Sequence, residues 1–248
     1  MRARHLNDWL AASFPGPVNL LFPRRCPVCG DIVLPVGELI CLGCRKKLSP
    51  VKEPRCMKCG KELLREEEEY CFDCLRHPGS FARGYSVFNY TDEASDSMAA
   101  VKYKNRREYL DFYGEEAIRR LAEPFSRKRP DCLIPVPVHP KRLRKRGFNQ
   151  AGVLADRIGE AFGIPVREDL LVRVKNTSPQ KDLSPAERLK NLRSAFRAGG
   201  PVPPGMRTAM IVDDIYTTGA TMEACTRILL EAGFSEVSFF TVFIGRGI

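Results

Sequence analysis

The chain has 248 residues, enough for one or two domains. Hydrophobic residues make up 44% and charged residues 28%, the values of a folded globular protein, which exclude a wholly disordered or collagen-like chain. Forty Lys and Arg against thirty Asp and Glu give a formal charge of +10, and three histidines are too few to build a histidine metal centre.

Residues 1–22 read as a short amphipathic lead-in. Their apolar run is broken by Asn7, Asp8, Pro15, Pro17 and Asn19, so neither a signal peptide nor a membrane span of about 20 apolar residues is expected. Residues 23–80 hold eight of the ten cysteines, as four Cys-x-x-Cys pairs beginning at 26, 41, 56 and 71. CPVCG and CMKCG put Gly after the second Cys, whereas CLGC and CFDC do not, so one knuckle-plus-pair unit occurs twice. Two thiolates two residues apart fit one turn and reach one ion, and four complete a closed tetrahedral zinc site. Sequential pairing puts Cys26, Cys29, Cys41 and Cys44 on one structural Zn2+ and Cys56, Cys59, Cys71 and Cys74 on a second. A cross-braced pairing of first with third and second with fourth stays open. Thiols kept for metal imply a reducing compartment, and the expected location is the cytoplasm.

Residues 81–248 are expected to form a second domain. SVFNY (86–90) reads as a strand, and Met98 to Tyr103 and Arg106 to Leu121 as helices. CLIPVPV (132–138) is a buried strand running into a loop, and Gln150 to Ala161 a helix stopped by Gly163. LLVRV (170–174) reads as a strand, and Ser184-Pro185-Ala186-Glu187 opens a helix with a capping box. AMIV (209–212) is a buried strand, Met222 to Glu231 a helix and VSFFTVF (237–243) a last strand. The alternation predicts a parallel α/β sheet flanked by helices. Cys132 and Cys225 read as small buried hydrophobes.

The segment MIVDDIYTTGATM (210–222) carries the most chemistry. It runs from a buried strand through two carboxylates and a hydroxyl-rich loop into a helix. Ligands sit at the carboxyl ends of parallel strands, and a helix N-terminus offers free N–H groups to an anion. Thr217, Thr218 and Thr221 add hydroxyls, Gly219 and Ala220 let the backbone approach a phosphate, and Asp213 and Asp214 suit a diol or a metal-bound diol. A phosphate beside a diol describes a ribose 5-phosphate.

This segment resembles the phosphoribosyl pyrophosphate motif of type I phosphoribosyltransferases. With IPVPVHPKRLRKRGFNQA (134–151) and RVKNTSPQKDLSPAERLKNLRSAF (173–196), behind a double zinc ribbon, the chain resembles the ComF family of competence proteins from about Pro23 to its end. The resemblance implies a type I phosphoribosyltransferase-like sheet, binding of phosphoribosyl pyrophosphate with Mg2+, and a part in DNA uptake. It puts His139, Lys141 and Arg142 in the pyrophosphate loop and Gln180 and Arg188 in or next to a mobile loop. It also implies a competence helicase as a partner. No general base is readable, and the acceptor stays open.

Residues 127–150 hold eight Lys and Arg against Asp131 alone. Two readings stand: a solvated face with a pyrophosphate site, or a surface tracking single-stranded DNA through Arg144, Lys145 and Arg146. Two functions follow. One is a Mg2+-dependent phosphoribosyltransferase; the other is a non-catalytic, single-stranded-DNA-binding adaptor with a ligand-sensing phosphoribosyl site.

Overall fold

A computed structural model describes residues 23–35, 37–175 and 194–245. The expected helix at Ser184 and the residues Gln180 and Arg188 lie outside them. Four parallel strands form the central sheet: β1 (Gly84–Asn89), β2 (Cys132–Pro135), β5 (Thr208–Tyr216) and β6 (Glu236–Ile244), in the order β1-β6-β5-β2. Strands β3 (Leu171–Arg173) and β4 (Phe196–Ala198) form a separate antiparallel pair. The expected parallel strand at 170–174 is therefore corrected to half of a two-stranded ribbon.

Helices α3 (Asp92–Tyr103), α4 (Tyr109–Arg127) and α6 (Gln150–Phe162) share a core with one face of the sheet, where Met210, Val212 and Phe240 point. Helix α7 (Ala220–Glu231) and the β3–β4 pair share the other core, with Ala209, Ile211, Phe239 and Leu229. Burial of both faces explains why β5 and β6 read as apolar runs. The four-residue β2 leads into a loop and the short helix α5 (Pro140–Arg146).

Two expected helices are longer than their apolar pattern. Helix α3 begins at Asp92, capped by Thr91, whose hydroxyl accepts from the Ala94 N–H at 3.4 Å. Helix α4 begins at Tyr109 and runs through Pro124 to Arg127. Helix α6 starts at Gln150 under an Asn149 cap, and the chain reverses at Gly163. Cys132 and Cys225 are both fully buried, and burial pushes the Cys132 thiol up to about 12.

The cysteine region repeats one local structure. In each knuckle the Gly N–H donates to the first Cys carbonyl, at 2.9 Å for Gly30 and 3.0 Å for Gly60. A short helix starts after the first Cys of each plain pair: α1 (Leu42–Arg45) after Cys41 and α2 (Phe72–Arg76) after Cys71. The acidic run Glu66–Glu69 lies exposed between Lys61 and α2. The link between the two units runs along the open edge of β1: Val51 N–H donates to the Val87 carbonyl, and Asn89 N–H to the Ser49 carbonyl. Covering that edge removes a row of free peptide groups. Gly60 seats the second knuckle against β1. Its φ is +79°, and a Cβ there would meet the Gly84 carbonyl oxygen at 2.6 Å.

Candidate functional site

The four sulfurs of Cys26, Cys29, Cys41 and Cys44 lie within 4.8 Å of one another, and so do those of Cys56, Cys59, Cys71 and Cys74. A tetrahedral ion with metal–sulfur bonds of about 2.3 Å holds its sulfurs about 3.8 Å apart. The Cys59 and Cys71 sulfurs already stand 3.6 Å apart. The grouping is sequential, and the cross-braced alternative is excluded. Two closed four-cysteine clusters fit structural Zn2+ and leave no position for a substrate. His77 caps α2 through its backbone N–H and is not in either cluster. Four thiols this close cannot all ionise without a cation: hydrogen bonds among them hold the Cys56 thiol well below its ordinary range and Cys59 far above it.

At the carboxyl end of the sheet, β5 extends further than its apolar core. Asp213 and Asp214 are strand residues, not members of the loop after it. Lys102, in the last turn of α3, pairs with the Asp214 carboxylate. Gln150, the first residue of α6, donates from Nε2 to Asp214 Oδ1 at 3.1 Å. Arg146 donates to Gln150 Oε1 and, from Nε, to the Lys102 carbonyl at 3.2 Å. These contacts close a ring of Lys102, Asp214, Gln150 and Arg146 that ties α3, α5, α6 and β5 together.

The two carboxyls are unequal. Burial opposes the charge on Asp214, but the Lys102 ammonium and hydrogen bonds from Asp213, Lys102 and Gln150 outweigh it and hold its pKa below the usual range. Burial and the neighbouring Asp214 carboxylate push Asp213 well above that range. Asp213 Oδ1 also accepts the Asp214 N–H at 2.9 Å. Asp214 is therefore favoured as the paired anion, and ionisation of Asp213 beside it is disfavoured.

Cations surround this pair. Burial lowers the Arg146 and Arg173 pKa values, with the fields of Asp214 on Arg146 and of Asp213 on Arg173 opposing that drop. Arg142 lies close enough to both arginines to lower them further. His139 caps α5, its Nδ1 accepting the Lys141 N–H at 3.2 Å. Slight burial and the charges of Lys141, Arg173, Arg142 and Arg144 hold its pKa down. It is therefore a neutral cap inside a cationic neighbourhood.

Thr217 and Thr218 are exposed in the turn after β5, and Gly219, Ala220 and Thr221 open α7. Gly219 has φ +78°, and a Cβ there would meet the Tyr216 hydroxyl at 2.5 Å. Among the described residues no side chain caps this helix, so its first N–H groups face the turn without an internal acceptor.

The structure thus gathers Asp213, Asp214, the Thr217–Thr221 turn, His139, Lys141 and Arg142 at one end of adjacent strands β2 and β5. Of the residues assigned to nucleic acid, Arg144 and Lys145 are exposed on α5, whereas Arg146 is turned into the ring described above. Phe148 is buried in the core under the Arg107 guanidinium, so it offers no stacking face. Sequence reasoning missed Lys102, Gln150 and Arg173 as site residues. Lys102 reads as a basic residue completing a helix end, and only the fold brings it to Asp214.

Residues 17–75 match the double zinc ribbon domain family. Competence protein F of Haemophilus influenzae is 29% identical over 228 residues, covering 87% of this chain and 95% of that protein. DNA utilization protein YhgH of Salmonella typhimurium is 33% identical over 172 residues, covering 66% of this chain and 73% of that protein. A purine phosphoribosyltransferase from Pyrococcus horikoshii overlaps 53% of this chain and 82% of its own at 21% identity, with a TM-score of 0.33, too loose to support any inference. Among the described residues no helix is long and apolar enough to cross a membrane. On the extent of these sequence matches and the two four-cysteine clusters, this chain belongs to the ComF family of competence and DNA-utilization proteins, with a double zinc ribbon before its α/β sheet.

Proposed function

We propose that the carboxyl end of the sheet binds phosphoribosyl pyrophosphate with Mg2+, and that the protein is a cytoplasmic phosphoribosyltransferase-type member of the DNA-uptake machinery. The observation that carries this reading is the placement of two unequal carboxyls at the end of β5, between the uncapped start of α7 and the cations Lys102, Arg142, Arg146 and Arg173. A 5-phosphate would lie on the Thr217–Thr221 turn and the α7 N–H groups. The ribose hydroxyls would take Asp213 and Asp214 as acceptors. The pyrophosphate would face Lys141 and Arg142, with Arg146 and Arg173 behind them.

Hard carboxylate oxygens suit Mg2+, which when bound would neutralise the pyrophosphate oxygens. Toward that group this chain supplies the acidic pair. A cation beside Asp213 would offset the burial and the Asp214 charge that disfavour its ionisation. Lys102, released from Asp214 when a diol takes its place, would become a donor for the anionic ligand. The cations of α5 would stabilise charge as it develops on the leaving group.

One observation favours the second reading, a ligand-sensing adaptor. Among the described residues the groups touching the acidic pair are Lys102 and Gln150; Lys102 is held protonated, because the pull of Asp214 outweighs burial, and Gln150 has no basic atom. Neither takes a proton from an acceptor. Pyrophosphate release in the presence of candidate nucleobase and amine acceptors separates the readings: turnover above the rate of spontaneous hydrolysis supports the enzyme, and binding without release supports the adaptor.

The DNA reading rests on Arg144 and Lys145, with Arg146 committed to the ring. Oligothymidylate binding should weaken as salt rises. Replacing Arg144 and Lys145 with Gln together should flatten the salt slope by about 1.4, at about 0.7 for each phosphate no longer neutralised. An unchanged slope would move the DNA off α5. Co-purification with a single-stranded-DNA helicase of the uptake system tests the partner that the family implies.

A further inference from the structure

The basic stretch 127–150 is split by the fold. Its second half lies on α5 at the carboxyl end of the sheet, while Arg127, Lys128 and Arg129 lie at the opposite end, beside the first residues of β5 and β6. Roughly 20 Å of β5 separates the two patches, at about 3.3 Å of rise per residue. A cleft of about 290 Å3 opens at this amino end, lined by Thr208–Met210 of β5, by Glu236 and Ser238 of β6, and by Tyr85 of β1.

Six cations face the cleft. Three are neutralised locally: Arg55 by Glu53 at 3.1 Å, Arg127 by Glu123 at 2.7 Å and Lys128 by Glu236 at 2.6 Å. The other three, Arg83, Arg120 and Arg129, have no carboxylate partner among the described residues. Arg120 spends its Nε on the Ser86 carbonyl at 3.1 Å, and Arg129 spends donors on the Phe125 and Phe162 carbonyls. Arg83 and Arg120 each stand 5.8 Å from the Tyr85 ring. Arg55 Nε is buried with no hydrogen-bond partner among the described residues.

Of these guanidiniums Arg55 and Arg120 are half-buried, whereas Arg83 and Arg129 are exposed; a half-buried guanidinium without counter-charge, as Arg120 is, is unfavourable unless an anion joins it. The crowding registers on Arg120, whose pKa is pushed down to about 10 by burial and by Arg55. Guanidiniums present their donors in a fork that matches phosphate oxygens, and an aromatic face beside them takes a flat ring.

We propose that this amino-end cleft is a second anion site, which takes the phosphate of a nucleotide on Arg83, Arg120 and Arg129 with its base against Tyr85. The nucleotide is either free or one unit of a single strand. The site is independent of the phosphoribosyl reading, because it uses none of those residues and lies at the other end of the sheet.

The test measures binding of thymidine monophosphate by calorimetry and of a labelled oligothymidylate by anisotropy, at low and high salt. Arg83→Gln with Arg129→Gln should weaken binding at least about tenfold. Both side chains are exposed and outside any ion pair, so the fold should hold. Arg83→Lys, which keeps the charge and loses the fork, should recover part of the loss. Binding of the monophosphate identifies a free nucleotide, and binding of the oligomer alone identifies a strand. The proposal is overturned if neither probe binds, or if the Arg83/Arg129 variant binds as wild type while Arg144→Gln with Lys145→Gln abolishes binding.

Discussion

Asp214 depends on Lys102 as a matter of charge accounting in a dry place. A buried carboxylate is tolerated because an ammonium and two hydrogen bonds face it. Asp214 has a folded pKa below its ordinary value, so its contribution to stability is present above the unfolded pKa and is lost as pH falls through the folded one. Lys102 has a raised pKa, so its contribution is full below its ordinary 10.5 and lost as pH rises through the folded value. The pair therefore stabilises the protein across the neutral range. Lys102→Met keeps the stem and removes the charge. At pH 7.5 it should lose about 3 kcal/mol, the scale of a buried charge left unpaired. The loss should shrink near pH 4.5, because an unpaired buried Asp214 protonates more readily and neutral carboxyls need no partner. Urea melts at the two values check this; an equal loss at both would mean that Lys102 stabilises through packing alone.

At the scale of elements, the turn between β5 and α7 is fixed by Tyr216. Its ring stacks on Phe239 with centroids 4.9 Å apart and meets Phe81 edge-on at 6.4 Å. Gly219 passes directly over that ring. Gly219→Ala should cost about 2 kcal/mol, combining the left-handed penalty of about 1–2 kcal/mol with displacement of a packed ring. A loss under about 0.5 kcal/mol in chemical denaturation would show that the turn relaxes freely. The same element shows what sequence can and cannot carry. The order of strand, acidic pair, hydroxyl turn and helix is local, so it is legible along 210–222. The strand's real length is not, because carboxylates are depleted in strands, and the apolar run therefore reads as ending at Val212, before Asp213 and Asp214. What lets β5 continue through them is Lys102 and Gln150, which arrive from other helices. The start of α3 is hidden for a related reason: its first turn, Asp92 to Asp96, is polar and held by Thr91 and the helix dipole, not by apolar periodicity. The antiparallel sense of β3 and β4 is not legible either, because a three-residue apolar strand carries no mark of its partner's direction.

For the whole molecule, the zinc ribbons are part of the scaffold of the site. The buried Lys61 pairs with Asp73 at 2.6 Å and stands 5.9 Å from the Tyr216 ring. Ser80 donates from its N–H and hydroxyl to Glu223 of α7 at 2.6 and 2.8 Å. Phe81 joins the cysteines of the second cluster to the core under β5 and β6. The cysteine spacing makes the ribbons legible, but not this docking, which depends on single residues far apart in the chain. Metal analysis should find two zincs per chain; one zinc with four freely titrating thiols would refute the paired clusters. Cys56→Ser should remove the second zinc and unfold its ribbon, since metal binding supplies the folding free energy of such units. Hydrogen exchange should then quicken across 56–80 and also at 216–224, while Ile211 and Phe239–Phe240 stay protected. Exchange confined to 56–80 would show that the ribbon does not brace the turn.

Binding of phosphoribosyl pyrophosphate through Asp213 and Asp214 at the carboxyl end of the sheet is tested by titration calorimetry with and without Mg2+. Wild type should bind with Mg2+ and bind more weakly without it. Asp213→Asn with Asp214→Asn keeps size and shape and removes the acceptors' charge. Because hydrogen bonds to charged groups contribute about 1.5–3 kcal/mol each, affinity should fall at least about tenfold. Binding by the double variant equal to wild type, or no binding by wild type, would contradict the claim.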